Sequence, residues 1–215
     1  MSVILNNLPF LWQGLLVTLH VSALVVVIAL VVGVVFGLGI SFGPRWIGWP
    51  IRVYSDVVRG LPLLVLIFSV YYMLPMTGLN VSSFWAAVSA LTAFQTAHVL
   101  EVTRGAVQSI PAGQHEAGKS IGLNFAQRMV YVVFPQALRR FLPPWINNVV
   151  STVQGSALVS LVGIVDLMLS IQQVIGRTFR PMPMYLLGAL MYFIINYALS
   201  LTSRMLEARF AYIRE

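Results

Sequence analysis

The sequence predicts an all-α integral membrane protein with about five transmembrane helices, and two observations support this. Of the 215 residues, 59% are hydrophobic and only 9% are charged, whereas a soluble domain carries about 25% charged residues. Lipid offers the backbone no hydrogen-bond partners, so a spanning segment must be a helix or a strand of a closed barrel. The nearly continuous apolar run at residues 25–35 lacks the alternation of a barrel strand, and helices are therefore predicted.

Five apolar segments are predicted to cross the hydrocarbon core, for which a helix needs about 20 residues. Residues 60–100 contain no Lys, Arg, Asp or Glu, but this stretch is too long for one span, and residues 75–78 supply a turn in its middle. A short segment at residues 8–14 is expected to lie along the interface. The predicted spans, within one domain over residues 1–215, are residues 17–40, 61–74, 84–103, 145–165 and 184–202.

The basic residues lie mainly in the predicted loops, which indicates how the chain is oriented. The net charge is +7, and eleven of the thirteen Lys and Arg residues fall in the loops at 41–60 and 104–144 and in the C-terminal tail. The loop that begins with Asp166 holds only Arg177 and Arg180. Since cytoplasmic loops carry the excess of basic residues, we predict an external N-terminus and a cytoplasmic C-terminus. Nucleic-acid binding is not expected, because no basic groove with interleaved aromatic residues occurs.

Residue types that catalysis and metal binding need are sparse in this sequence. There is no cysteine, and the three histidines, His20, His98 and His115, are scattered. The six acidic residues are dispersed, and no Ser-His-Asp or metal-ligand spacing occurs. We therefore expect a chain that is not an enzyme and that binds no metal or cofactor itself.

The long loop at residues 104–144 contains a spaced motif within the run EAGKSIGLNFAQRMVYVVFP, which starts at Glu116. This run resembles the EAA loop of ABC-transporter permeases, whose pattern is EAA, three residues, Gly, nine residues and Ile-x-Leu-Pro. The motif positions are occupied by Glu116, Ala117, Gly118, Gly122 and Pro135. The departures from the pattern are Gly118 for Ala, Val132 for Ile and Phe134 for Leu.

Further stretches are similar to one branch of that family, the permeases of polar-amino-acid importers. The similar runs are RGLPLLV at 59–65, EVTRGAVQSIPAGQHEAG at 101–118, FPQALRRFLPP at 134–144 and SALVSLVGIVDL at 156–167. The resemblance implies a type I ABC-importer permease fold in the bacterial inner membrane. It also implies ATPase subunits that bind ATP and Mg²⁺, an external solute-binding protein, and a second permease chain that is identical or paralogous.

In this family the loop folds into a short coupling helix that docks in a cleft of the ATPase. The resemblance therefore assigns ATPase coupling to the five motif residues. Glu116 and Ala117 are expected near a helix start, where a carboxylate is favoured. Gly122 is expected to end the helix in a left-handed conformation, and Pro135 to mark a break in the chain. The alternative is an ordinary basic loop that only sets the topology.

Residues 113–120 also satisfy the phosphate-loop pattern of Gly, four residues and Gly-Lys-Ser. That pattern binds nucleotide when it follows a buried strand and opens a helix of an α/β domain. Here the preceding element is a predicted membrane span. We therefore expect ATP to bind to the ATPase subunits and not to this chain.

The fourth predicted span is rich in polar residues, which are costly at membrane depth and often functional. An amino acid carries an ammonium and a carboxylate group, so a pathway for it needs hydrogen-bonding side chains. The candidates are Asn148, Ser151, Gln154, Gly155 and Ser156, together with His98 in the third span. Packing between helices is the alternative role. Relatives often carry Lys-x-Thr-Ser-Leu where this chain has Gln154 to Leu158, which leaves the particular substrate open.

Charged and small residues in the spans and near their ends allow both structural and functional roles. Glu101 and Arg104 lie three residues apart at the inner end of the third span and share a helix face, as an ion pair or as a gating element. Asp166 is expected to be solvated or to meet a binding protein or cationic substrate. Gly33 and Gly37 form a GxxxG pair, which predicts close packing of two helices.

The function predicted from the resemblance is the membrane-spanning subunit of an ATP-driven importer for polar amino acids. A permease for another small solute is the first alternative. A stand-alone channel or secondary carrier is a further alternative, but it would not explain why the long loop resembles the EAA loop. An integral membrane enzyme would need converging acids, bases or nucleophiles, which the sequence does not offer.

Overall fold

The computed structural model describes the backbone of residues 2–211 and the side chains of residues 3–208. All regular structure in this part of the chain is helical, which confirms the predicted all-α class. The α-helices are α1 (Ser2–Phe42), α2 (Arg45–Gly60), α3 (Leu63–Met76), α4 (Ser83–Gln108), α5 (Ala112–Ser120), α6 (Phe125–Arg128), α7 (Phe134–Ser156), α8 (Leu167–Thr178) and α9 (Pro181–Ala211). The side chains of the tail residues Arg209, Arg214 and Glu215 lie outside the described part.

Two of the described helices are long and apolar enough to cross a membrane alone, α1 over Val3–Phe42 and α9 over Pro181–Ala208. Two pairs of consecutive helical segments could each form one further crossing with a bend inside it. The first pair is α2 with α3, bent by 108°, and the second is Phe125–Val162 with α8, bent by 50°. The helix α4 contains the predicted third span but is too polar to count among these candidates. The predicted five crossings and their orientation stay predictions.

Most segments expected to be loops are helical, which corrects the sequence interpretation. Residues 8–14 continue α1, where Leu11 is fully buried, and do not form a separate interfacial segment. The first predicted loop contains α2, and the last predicted loop contains α8. The loop at 104–144 is expected to hold one short helix, and it contains α5, α6 and the start of α7. These short helices satisfy their own backbone hydrogen bonds, and an average of hydropathy does not separate such polar or amphipathic helices from loops.

The boundaries around the fourth predicted span also differ from expectation. A π-helical turn at Met129–Val133 joins α6 to α7, so the helical chain begins well before the predicted start at residue 145. After α7 the chain tightens into a 3-10 helix at Ala157–Val162, which ends at Gly163 with a φ of 83°. The fourth predicted span is therefore the second half of a longer helical run.

The first helix packs along α4. A Cβ added at Gly33 would lie 2.6 Å from the Cβ of Val99, and one added at Gly37 would lie 2.5 Å from the Cβ of Thr103. The predicted close packing at this glycine pair is therefore confirmed. Because both residue numbers rise together along the contact, α1 and α4 run in the same direction.

Two apolar clusters pack the part of α1 that precedes this contact against other helices. One joins α1, α3 and α4 to the 3-10 helix through the fully buried Val21, Ile67, Leu91 and Val159. The other joins the N-terminal part of α1 to α8 and α9 through residues that include Leu11. Burial of each such side chain stabilises the fold by roughly 1.5–3 kcal/mol where the side chain would otherwise be exposed to water.

Candidate functional site

The elements that contain the predicted coupling motif lie at one end of the bundle. The ring of Phe42 at the end of α1 lies 5.8 Å from that of Phe125 in α6. From α2, the Ser55 hydroxyl lies 3.3 Å from the carboxylate of Glu101 near the end of α4. This end of the bundle therefore contains the ends of α1 and α4, the second half of α2, and α6. The helix α5 lies here too, because it follows the end of α4 directly.

The helix α5 presents most of the motif at the surface. Glu116, Ala117 and Lys119 are exposed, and Ile121 just after the helix is 76% exposed. Gly118 is buried on the opposite side. A short helix that displays a carboxylate, an ammonium group and an apolar side chain together offers a partner both charged and apolar contacts.

The end of α5 is a left-handed turn at Gly122, whose φ is 80°. The N–H of Gly122 donates to the carbonyl of Lys119 at 2.9 Å, and that of Leu123 donates to the carbonyl of Gly118 at 3.0 Å. This pair of bonds is the Schellman arrangement, which satisfies carbonyls left free at a helix end. The predicted left-handed conformation of Gly122 is confirmed.

A second helix start follows this turn at once. The side chain of Asn124 accepts from the N–H of Gln127, and the side chain of Gln127 accepts from the N–H of Asn124, each at 2.9 Å. This capping box begins α6 and fixes its direction after α5. A Cβ at Gly118 would lie 3.1 Å from the Arg128 side chain, so glycine at this position lets α5 lie close to α6.

Two expectations for the motif are wrong. Glu116 is the fifth residue of α5 and not near its start, and the first turn holds no acidic residue. Pro135 makes no break in the chain, because it is the second residue of α7 and follows a π-helical turn. A proline there is tolerated because the π-helical turn before it already departs from the α-helical hydrogen-bond pattern that a proline would interrupt.

Glu101 and Arg104 form an ion pair with two contacts. The Glu101 Oε2 atom accepts from Arg104 Nη2 at 2.6 Å and from Arg104 Nε at 3.0 Å. The same oxygen lies 3.8 Å from Nη1 of Arg59 at the end of α2. Glu101 therefore joins α2 to the end of α4 that leads into α5, and a gating role for the pair stays a prediction.

The residues predicted to line a pathway are distributed over several surfaces. Gln154 lines a groove of about 490 Å³ between α7, α8 and α9, with Tyr185, Tyr192 and Asn196 among its other walls. Ser156 instead faces α1, where its hydroxyl oxygen lies 3.3 Å from that of Ser22. The structure therefore places one of the six candidates in this groove.

The other four pathway candidates have different surroundings. Gly155 packs against Leu63 of α3, since a Cβ there would lie 3.0 Å from that side chain. Ser151 is exposed, and the Asn148 side-chain nitrogen is buried without a hydrogen-bond partner among the described residues. The His98 ring nitrogen Nδ1 lies 2.9 Å from the carbonyl oxygen of Phe94 within α4. A pathway role for these residues stays a prediction.

Asp166 is fully buried, so neither a solvated acid nor a contact with an external protein describes it. Its Oδ1 accepts from the N–H of Leu169 at 2.9 Å and thereby caps the start of α8. The hydroxyl of Thr18 in α1 accepts from the N–H of Leu167 at 3.1 Å. An Asp directly before an apolar helical run is the sequence signal that predicts such a cap.

The long apolar helices α1 and α9 are typical of a helical membrane protein. The family described as binding-protein-dependent transport system inner membrane component matches residues 29–212. The chain belongs to this family and is therefore a membrane component of a transport system.

Relatives that match along almost the whole length have known or assigned transport roles. The chain is 36% identical over 211 residues to the glutamine transport system permease protein GlnP of Escherichia coli strain K12. This match covers 97% of this chain and 96% of the relative. It is 36% identical over 207 residues to the probable glutamine ABC transporter permease protein GlnP of Bacillus subtilis, which covers 95% of each. The arginine transport system permease protein ArtQ of Bacillus subtilis is 29% identical over 209 residues, or 97% of this chain and 95% of the relative.

Solved structures show the same fold. A chain in a crystal structure of an amino acid ABC transporter with histidines has a TM-score of 0.90 and 32% identity, and the match covers 96% of both chains. A chain of the MetNI methionine ABC transporter in an inward-facing conformation has a TM-score of 0.65 and 19% identity, over 96% of this chain and 97% of that one. The first match supports the type I importer permease fold, and the second shows the fold alone.

Proposed function

We propose that this chain is the membrane-spanning subunit of an ATP-driven importer for polar amino acids in the bacterial cytoplasmic membrane. The names of the glutamine and arginine relatives support this substrate class, since the similarity extends over almost the whole chain. Five crossings are proposed, by α1, α3, α4, α7 and α9, with the N-terminus outside and the C-terminus in the cytoplasm. A second permease chain and an external solute-binding protein complete the membrane part.

The coupling part of the proposal rests on one observation, the exposed helix α5 that ends at Gly122. Its charged residues Glu116 and Lys119 are at the surface, and α4 connects it directly to the ion pairs of Glu101. A separate ATPase subunit that binds this helix would transmit the closing movement of the ATPase along α4 to the bundle. ATP and Mg²⁺ are bound by that subunit in this proposal.

The coupling role is tested by Glu116→Arg in the transporter reconstituted with its ATPase and binding protein. We expect substrate-stimulated ATP hydrolysis and uptake to fall by at least about tenfold, because the variant reverses the charge of a residue that this proposal places in the docking interface. The variant is expected to insert into the membrane normally, since Glu116 is exposed. The matched control is Glu207→Arg, an exposed glutamate of α9. Coupled uptake at the normal rate in Glu116→Arg would contradict the docking role.

The substrate class is tested by measuring which amino acids stimulate ATP hydrolysis in the same preparation. We expect glutamine and similar polar amino acids to stimulate, and sugars and inorganic ions to have no effect. The Gln154→Leu variant is expected to raise the KM for uptake, because Gln154 is a polar wall of the groove between α7, α8 and α9. Gln13→Leu, which changes an exposed glutamine of α1, is the control. Stimulation by sugars alone would contradict the proposed class.

A further inference from the structure

The helix α2 lies at the α5 end of the bundle and has three distinct faces. Its buried face consists of Gly48, Ser55 and Val58. This face packs against the end of α1 and the second half of α4, as the contact of Ser55 with Glu101 shows. The break at residues 61–62 then turns the chain by 108° into α3.

A second face of α2 is apolar and exposed. Trp46 is 75% exposed and Trp49 is 70% exposed, and Val53 and Val57 continue the same stripe with exposures of 42% and 57%. These positions follow one another at helical spacing and lie opposite the buried face. Tryptophan at such a place is typical of the boundary between acyl chains and headgroups.

A third face is basic and lies beside the tryptophans. Arg45, Arg52 and Arg59 are seven residues apart, and residues at this spacing stay on one side of a helix. Seven residues extend about 10.5 Å along the axis, so each guanidinium can hold a separate anion. Asp56 is the acidic residue beside this row, and Arg59 already approaches Glu101. Among the described residues, neither Arg45 nor Arg52 forms an ion pair.

We propose that α2 is a binding site for anionic phospholipid of the phosphatidylglycerol class. Arg45 and Arg52 bind the headgroup phosphates, while Trp46 and Trp49 lie in the acyl boundary of the same lipids. A free phosphate would satisfy the arginines but would leave the two tryptophans in water, so the adjacent apolar face favours a lipid. Amphipathic helices with this division of faces lie in the interface and bind more strongly to anionic membranes.

The test uses quenching of tryptophan fluorescence in the assembled transporter, reconstituted in vesicles of phosphatidylcholine and phosphatidylglycerol. Either lipid is brominated in its acyl chains, and the emission of Trp46 and Trp49 is obtained by subtracting that of the W46F/W49F variant. We expect brominated phosphatidylglycerol to be enriched around these residues over brominated phosphatidylcholine by about fivefold for each of the two arginines. The enrichment is expected to fall as salt is raised, because exposed charges are screened.

The R45Q/R52Q variant is expected to lose this enrichment while quenching by brominated phosphatidylcholine persists. The control, R177Q/R180Q, changes the two basic residues at the end of α8 and beyond it, and it is expected to keep the enrichment. If R45Q/R52Q does not assemble, the single variant Arg45→Gln is compared with the unchanged protein by native mass spectrometry. This measurement counts the phosphatidylglycerol molecules that each of the two proteins retains. Equal quenching by both lipids in the unchanged protein would overturn the proposal. Absence of quenching by either lipid would do so too, because a protein partner would then cover this face.

Discussion

The Glu101 carboxylate lies 3.8 Å from the guanidinium of Arg59, although the two residues belong to different helices. Arg59 is the next-to-last residue of α2, directly before the bend into α3. Glu101 lies near the end of α4, which leads into α5. One carboxylate therefore connects the bend between two helices to the end of α4 that leads into the exposed helix α5, which carries the predicted coupling motif.

The Glu101→Gln variant is expected to lower the free energy of unfolding by about 1.5–3 kcal/mol, the range for hydrogen bonds to a charged group. Most of this loss is expected from the close contact with Arg104, because Arg59 is 43% exposed and its attraction is screened by solvent. The measurement is thermal unfolding in detergent. Asp56→Asn is the control, since Asp56 forms no ion pair among the described residues. Equal losses in both variants would contradict this role.

The Gly122→Ala variant is expected to destabilise the end of α5. Gly122 has a φ of 80°, and a side chain in that conformation costs about 1–2 kcal/mol. Gly113→Ala, within α5 and with no other atom near its added Cβ, is expected to stabilise the same helix by about 0.5–1 kcal/mol. Hydrogen exchange of the α5 amides measures both effects. Unchanged exchange in Gly122→Ala would show that the turn does not control this helix.

The Gly37→Ala variant is expected to disrupt the packing of α1 on α4. Its Cβ would lie 2.7 Å from the carbonyl oxygen of Leu100, which belongs to the backbone and cannot rotate away. Overpacking of this kind costs about 1–3 kcal/mol. Gly105→Ala in α4 is the matched control, because an added Cβ there has open space. The midpoint of thermal unfolding should fall for the first variant and not for the second.

The Thr18→Val variant is expected to weaken the joint between α1 and α8. Valine keeps the shape but removes the oxygen that accepts from the N–H of Leu167. A buried N–H without a partner costs about 1–3 kcal/mol. Thr202→Val is the control, since that exposed hydroxyl only donates to the carbonyl of Ala198 within α9. A similar midpoint of unfolding for both variants would contradict the joint.

Local features of the site were predictable where they depend on neighbouring residues alone. The left-handed turn at Gly122 follows from a glycine directly after a short helical segment. The spacing from Glu116 to Pro135 is also a property of the chain itself. By contrast, the prediction that Glu116 lies near a helix start is wrong, because α5 begins at Ala112, four residues before Glu116.

Other features depend on residues far apart in the chain, and the sequence interpretation missed them. Asp166 follows an apolar segment and looked like a loop acid, yet α1 and α9 cover it completely. The three arginines of α2 lower its average hydropathy, which predicts a loop there, although the faces of this helix are sharply divided. The burial of Asp166 is visible only once its neighbouring helices are known, whereas the division of faces on α2 follows from the spacing of its residues.

The sequence alone determined that this chain is helical and mostly surrounded by lipid, because so few charges cannot cover a surface in water. It also contains the spaced motif from Glu116 to Pro135, whose spacing needs no knowledge of the fold. Only the tertiary structure decided that Gly37 meets Thr103, that Thr18 holds the start of α8 and that Glu101 reaches Arg59. Those contacts depend on the angles at which helices pack, and these angles come from the summed fit of many side chains.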